Sequence, residues 1–331
     1  PILFAPAPAI LEQFRLYVGV RLFGAPAALG NFVLFGWFLG LQDSRRPLLL
    51  MVATNGLNAV LAVTFVFGLG MATGGVAMAT VIAEYAGFAL GLLILAATWR
   101  HRGGWPGWPA VLVLDRFRRL FVVNRDIFLR SLMLEAAFLV FTALGSRQGT
   151  LILAANAILM NFFTAAAYGL DGFAHAAEAM IGRTVGARDR AGFMAAARAG
   201  FGNAALLAVI MTILFWLAGP TLIRLLTDLA PVRAEAMRFL PWAVLLPLVS
   251  VWAFLFDGIY FGATRTAELR NAMAMALVSF GLLAWLLVPW LGNHGLWLSL
   301  LLFLAARALV LGLIYRRIER IAPFVPRSAP A

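Results

Sequence analysis

The chain has 331 residues, is 63% hydrophobic and only 12% charged, and has a mean hydropathy of +0.93. A soluble domain is nearer half apolar and a quarter charged, so these apolar residues must face lipid or one another. The +12 net charge comes from 26 basic residues, all Arg, set in short breaks between apolar runs, which excludes a nucleic-acid-binding domain. With no Cys and only His101, His175 and His294, disulfides, thiolate metal sites and a His metal cage are excluded too.

The first residues, "PILFAPAPAILEQF", have no initiator Met, basic n-region or cleavage site, which leads us to expect a chain whose beginning is missing. A spanning helix needs about 20 mostly apolar residues. Nine segments qualify: 15–41, 47–69, 74–98, 127–146, 150–178, 191–218, 239–262, 270–291 and 295–315. Between the third and fourth lies the longest polar stretch, 99–126, rich in Trp, Gly, Pro and Arg. It is expected to form a loop and an amphipathic surface helix that joins two halves. Residues 219–238 have helical periodicity and mixed charge, and are expected to form a short interfacial helix.

Charge gives the orientation. The breaks after segments one, three, five and seven, with the C-terminal tail, hold 17 Arg, against six in the other set. Basic loops stay in the cytoplasm, so the chain is expected to end inside and begin outside. Three further spans ahead of Pro1 would resolve that outside start.

Two breaks resemble each other. "GWFLGLQDSRRPLL" (36–49) and "DGIYFGATRTAELRN" (257–271) each follow a span and precede two more. Ser44-Arg45 and Thr264-Arg265 are offset by 220 residues, as are Gly75 and Gly295. Segments one to three and seven to nine therefore read as copies in the same orientation, one of the repeat architectures of secondary transporters.

The stretches "RLFGAPAALGNFVLFGWFLGLQDSRRPLL", "LAANAILMNFF", "AYGLDGFAHAAEAMIGRTVGARDR" and "DGIYFGATRTAELRN" resemble the multidrug and toxic compound extrusion (MATE) family, in its DinF-like branch. The resemblance implies an all-α, polytopic membrane helix bundle of two lobes, with nine of twelve transmembrane helices present, the fourth to the twelfth. It assigns 1–98 to a partial first lobe, 99–126 to a cytoplasmic linker and 127–331 to a second lobe. The implied activity is export of cationic or amphipathic small molecules in exchange for protons or sodium ions, by alternating access. The implied setting is a monomer in the bacterial inner membrane, in contact with lipid, without cofactor, metal or nucleic acid. Where the family's fifth span often carries Asp, this chain has Ala62 in "NAVLA" (58–62).

Charge inside a span costs about 3 kcal/mol on insertion scales, so an ionisable residue there is a functional candidate by default. Glu135, Asp257, Asp171 and Glu84 are the candidates for cation or proton coupling. Glu135 sits among Leu, Met, Ala and Phe; a relative's cation-site Glu falls near it, although pairing with Arg130 is the structural alternative. Asp171 and Asp257 each precede a Gly, a pattern equally suited to a kinked or closely packed helix whose carboxylate caps freed amides. Tyr168 and Tyr260 lie three residues from an Asp and share its helix face, so each offers a ring to a cation. With Asn156, Asn161 and Asn58 they are the substrate-cavity candidates, though helix-embedded amides usually bond between helices. Glu178 is expected to pair with Arg183, and Arg307 must find an acid or backbone carbonyls.

Walker A, Gly-x-Ser-x-Gly and zincin patterns are absent from the sequence, so it is not read as an ATPase or hydrolase. The competing readings are a lipid-linked glycan flippase, which would need a basic cavity, and a lipid-modifying membrane enzyme, which would need catalytic motifs.

Overall fold

The computed structural model describes residues 8–100 and 113–321, with side chains over 11–100 and 113–316. The described residues form nine helices long and apolar enough to cross a membrane. We number them α1 (Pro8–Gly40), α2 (Arg45–Val63), α3 (Ala72–Arg100), α4 (Leu114–Arg147), α5 (Thr150–Gly186), α6 (Arg190–Leu226), α7 (Ala230–Gly262), α8 (Thr266–Leu291) and α9 (Asn293–Ile321). The fold is an all-α membrane helix bundle. The chain separates into two compact units, Pro1–Leu112 and Val113–Ala331.

In the first unit, α1 and α2 both pack on α3. The α3 face that receives them is built from Gly75, Ala77, Ala79, Ala83, Gly87 and Gly91, small residues that let membrane helices approach closely. Past Val63 the α2 helix widens: Leu69 N–H donates to Thr64 O at 3.1 Å, five residues back.

In the second unit, α7 is the central post, packed against α5, α6 and α9, while α9 and α4 lie against α8. Two glycines let α5 reach it. A Cβ at Gly258 would collide with the Ala174 carbonyl, and one at Gly262 would sit 2.5 Å from Glu178 O and 3.0 Å from Gly182 N. The outer faces of α6 and α8 are Leu206, Ile210, Leu214 and Trp216, and Val278, Leu282, Trp285 and Trp290, side chains suited to acyl chains.

Two expected surface elements merge into spans. Residues 101–112 of the expected linker lie outside the described residues, but 114–126 are the first turns of α4, continuous with its span. No Gly or Pro intervenes from Leu114 to Ala143, so nothing breaks the ladder there. The expected interfacial helix at 219–238 is likewise divided: 219–226 end α6 and 230–238 open α7. Pro231 sits in the first turn of α7, where its missing N–H costs nothing.

The resembling breaks share one backbone geometry. Gln42 and Thr264 both adopt positive φ, 60° and 54°, as does Arg188 at 55°. In each turn the next N–H reaches back five residues: Asp43 to Phe38 O (3.1 Å), Asp189 to Thr184 O (2.9 Å) and Arg265 to Tyr260 O (2.8 Å). This is the Schellman stop, which ties off orphan carbonyls at a helix C-terminus. It sets Gln42, rather than Ser44, opposite Thr264, and so Gly36 and Gly40 opposite Gly258 and Gly262.

Candidate functional site

The second unit holds a buried ionic hub. Asp257 on α7 is 6% exposed and Arg307 on α9 is 3% exposed. Asp257 Oδ2 accepts from Nη2 of Arg307 and from Nη2 of Arg130 on α4. Charges this far from water persist only when paired, and one carboxylate here serves two guanidinium groups brought by two other helices. Arg130 also lies over the Phe261 ring, 5.3 Å from its centroid. Asp257 Oδ1 and Arg130 Nε are buried and have no hydrogen-bond partner among the described residues. The hub is thus net positive, with one acceptor and one donor unspent.

Beside it runs a polar seam. Asn161, Thr164, Tyr168, Asp171, His175 and Glu178 follow one another on α5 at alternating steps of three and four residues, which keeps them on one helix stripe. Asn161, Thr164, Tyr168 and His175 are exposed, and Asp171 and Glu178 partly so. His175 Nδ1 lies 3.5 Å from Glu178 Oε2. Asp171 interacts electrostatically with His175, Arg130 and Arg307. The adjoining stripe, Leu170, Ala174, Ala177 and Ile181, is buried and carries the packing against α7. Unlike the outer faces of α6 and α8, the exposed face of α5 is polar and small.

The seam and the hub collect several residues named from sequence: Asp257, Asp171, Tyr168 and Asn161. Others stand elsewhere. Glu135 is exposed on α4 and does not meet Arg130, whose guanidinium is taken by Asp257. The expectation that Tyr260 lines a cavity is corrected. Its ring is fully buried and its hydroxyl donates to Leu311 O at 2.7 Å, because its side of α7 is packed against α9. Asn156 is corrected too. It is buried, exchanges two 2.8 Å hydrogen bonds with Asn293 and accepts from Trp297 Nε1 at 2.9 Å, a clamp between α5 and α9. The expected amide-capping role of Asp257 is replaced by the ion pairs. Glu178, expected to pair with Arg183, lies beside His175.

In the first unit, Glu84 on α3 pairs with Arg21 on α1 at 2.9 Å. Asn31 donates to Glu84 O at 2.9 Å and Tyr85 to Phe23 O at 3.0 Å. Glu84 therefore ties α3 to α1. Asn58 accepts from Thr80 at 3.4 Å, which ties α2 to α3.

Sequence reasoning missed two features. Arg130 and Arg307 converge on one acid from segments far apart in the chain, which no local pattern reveals. The six-residue seam, in contrast, was there to be read in its spacing. A second ionic cluster, Asp126 with Arg125 (3.0 Å) and Arg270 (2.6 Å), fastens α4 to α8 beside a cavity of about 460 Å³ lined by Thr264, Arg265, Glu268 and Asn271.

The MatE family model matches residues 127–290. DNA damage-inducible protein F of Escherichia coli (strain K12) is 47% identical over 309 residues, covering 93% of this chain and 67% of that protein. The chain belongs to the MATE family. Among plant relatives, the chloroplastic protein DETOXIFICATION 44 of Arabidopsis thaliana is 28% identical over 302 residues, with 89% of this chain and 55% of that one covered. The chain therefore spans about two thirds of the bacterial relative and little more than half of the plant one. Its fold matches a MOP superfamily transporter from Pyrococcus furiosus, with a TM-score of 0.86 at 20% identity over 96% of this chain and 72% of that one. The Vibrio cholerae MATE transporter VcmN gives 0.85 at 19% identity, with the same coverage. The MATE family is one of membrane transporters, not of enzymes.

Proposed function

We propose that this MATE chain is the transporting body of a secondary antiporter. It exports cationic or amphipathic small molecules from a bacterial cell across the inner membrane, in exchange for protons or sodium ions. On this reading the protein is a monomer that alternates between inward- and outward-open states with its C-terminus in the cytoplasm. Residues 1–98 contribute to one lobe and 127–331 form the other, joined through 99–126.

The observation that carries the proposal is the polar seam of α5 beside the buried Asp257 hub. A charged side chain in a span faces protein or water rather than lipid, so Asp171, His175 and Glu178 mark a wet face. Tyr168 is 78% exposed on that face and offers a ring to a cation; Asp171 and Glu178 supply negative charge. The flippase reading needs a basic surface for pyrophosphate. The seam carries no Arg, and the two central guanidinium groups are engaged by Asp257.

Asp257 suits coupling because two helices answer to its charge. A proton on its carboxyl group removes the counter-charge of Arg130 and Arg307 together, which loosens α4 and α9 from α7. A bound sodium ion would have to work through the unspent Oδ1. Glu135, exposed on α4, is the second carboxylate of this reading, and Glu135→Gln is expected to abolish ion-coupled efflux while leaving expression intact. Efflux of a cationic dye from vesicles, under an imposed pH gradient with and without sodium, tests the reading. Transport indifferent to both gradients would remove antiport.

A further inference from the structure

The seam holds a group that can both accept and release a proton near neutral pH. His175 stands between two carboxyl groups of its own helix, one turn beyond Asp171 and 3.5 Å from Glu178. It is the only imidazole among the described residues of α5, and 61% of its side chain is exposed. α5 has 37 residues, about 55 Å at 1.5 Å per residue, so its middle lies near Tyr168. A hydrocarbon core of about 30 Å centred on that point would end close to Glu178. The seam runs from the depth of the hub to the membrane edge.

The charged groups that bear on this stretch come from α4, α7 and α9. Arg130 on α4 and Arg307 on α9 act on Asp171, Asp257 on α7 holds both of those arginines, and Glu178 flanks His175 on α5. The outer groups, His175 and Glu178, are open at the surface of the unit, and protein covers Asp257 and Arg307. An imidazole in such a position has one nitrogen to accept a proton and another to release one.

We infer that the seam of α5 is a proton-transfer path, with His175 the group that passes protons between Glu178 at the membrane edge and Asp171 beside the buried arginines. This rests on the antiporter reading above. The transfer is balanced at each step. The O–H bond of the Glu178 carboxyl group breaks as an N–H bond forms on His175. The N–H on the other ring nitrogen then breaks as an O–H bond forms on Asp171. A proton from cytoplasmic water restores Glu178, and tautomer exchange restores His175. One proton enters at the edge for each one delivered, and the path runs equally in reverse.

The experiment uses full-length protein in proteoliposomes with trapped pyranine as the proton reporter and ethidium as the transported cation. Two modes are compared: ethidium movement driven by a pH gradient, and ethidium–ethidium exchange without one. His175→Gln is expected to slow the driven mode about tenfold or more, as loss of a positioned proton-transfer group does, and to leave exchange at the wild-type rate. Added 4-methylimidazole is expected to restore the driven mode. Thermal unfolding of the His175→Gln protein in detergent, expected at the wild-type temperature, guards against a fold defect in that variant. An unimpaired driven mode, or equal loss in both modes, overturns the path. Wild-type protein that moves ethidium without protons overturns the antiport reading itself, which separates the two failures.

Discussion

At the scale of single residues, the balance of charge in the second unit decides what each side chain does. Asp257→Asn would take from Arg130 and Arg307 the carboxylate that pairs with both, and leave them only the field of Asp171. Breaking a buried pair costs about 3–5 kcal/mol, so thermal unfolding in detergent should show a large loss of stability alongside lost transport. Arg307→Met with Asp257→Asn should recover part of that stability, because fewer unpaired charges then remain. The two tyrosines make a sharper contrast. Tyr260→Phe removes the donor to Leu311 O and should lower stability by about 1–3 kcal/mol without changing dye affinity. Tyr168→Ala, on an exposed side chain, should weaken dye binding and leave the melting temperature unchanged. Sequence alone made the two look equivalent, because each lies three residues from an Asp. Burial separates them, and burial depends on which neighbour packs there. The same reason hid the role of Asn156: its partner Asn293 is 137 residues away.

At the scale of elements, the helices were legible because membrane spans announce themselves by length and hydropathy: each of the nine expected segments coincides with a described helix, the first two overrunning theirs by one residue. Their ends were less legible. The first turns of α4 carry Arg116, Arg118, Arg119 and Arg125, so a hydropathy window closes before the helix does. Helix contact is where sequence becomes mechanical. Gly262→Ala would place a methyl group 2.5 Å from Glu178 O and should force α5 from α7, at about 1–3 kcal/mol. Gly172→Ala meets nothing within 4 Å and should be neutral, or slightly stabilising through helix propensity. Denaturation of the two variants side by side checks this. Both glycines lie inside helices, and the packing tells them apart.

At the scale of the whole molecule, the Arg distribution predicts orientation. The chain has no native Cys, so an introduced one is unique. Arg188→Cys, in the exposed turn between α5 and α6, should react with an impermeant maleimide only from the cytoplasm. Asp228→Cys, at a fully exposed side chain between α6 and α7, should react only from outside. Labelling of both from one side would refute the assignment. The transporter class was readable because composition, Arg placement and the quoted stretches agreed, whereas the hub was not, because it is assembled from α4, α7 and α9. That hub has an electrical consequence. Two guanidinium groups and one carboxylate leave about one positive charge buried within the spans, and a proton on Asp257 makes it two. Each elementary charge carried across the bilayer exchanges about 2.3 kcal/mol with a potential of 100 mV. Any displacement of α4 or α9 that takes these arginines with it is therefore work done against or by the membrane voltage, and the turnover rate should respond to a potassium–valinomycin potential even at equal pH on both sides.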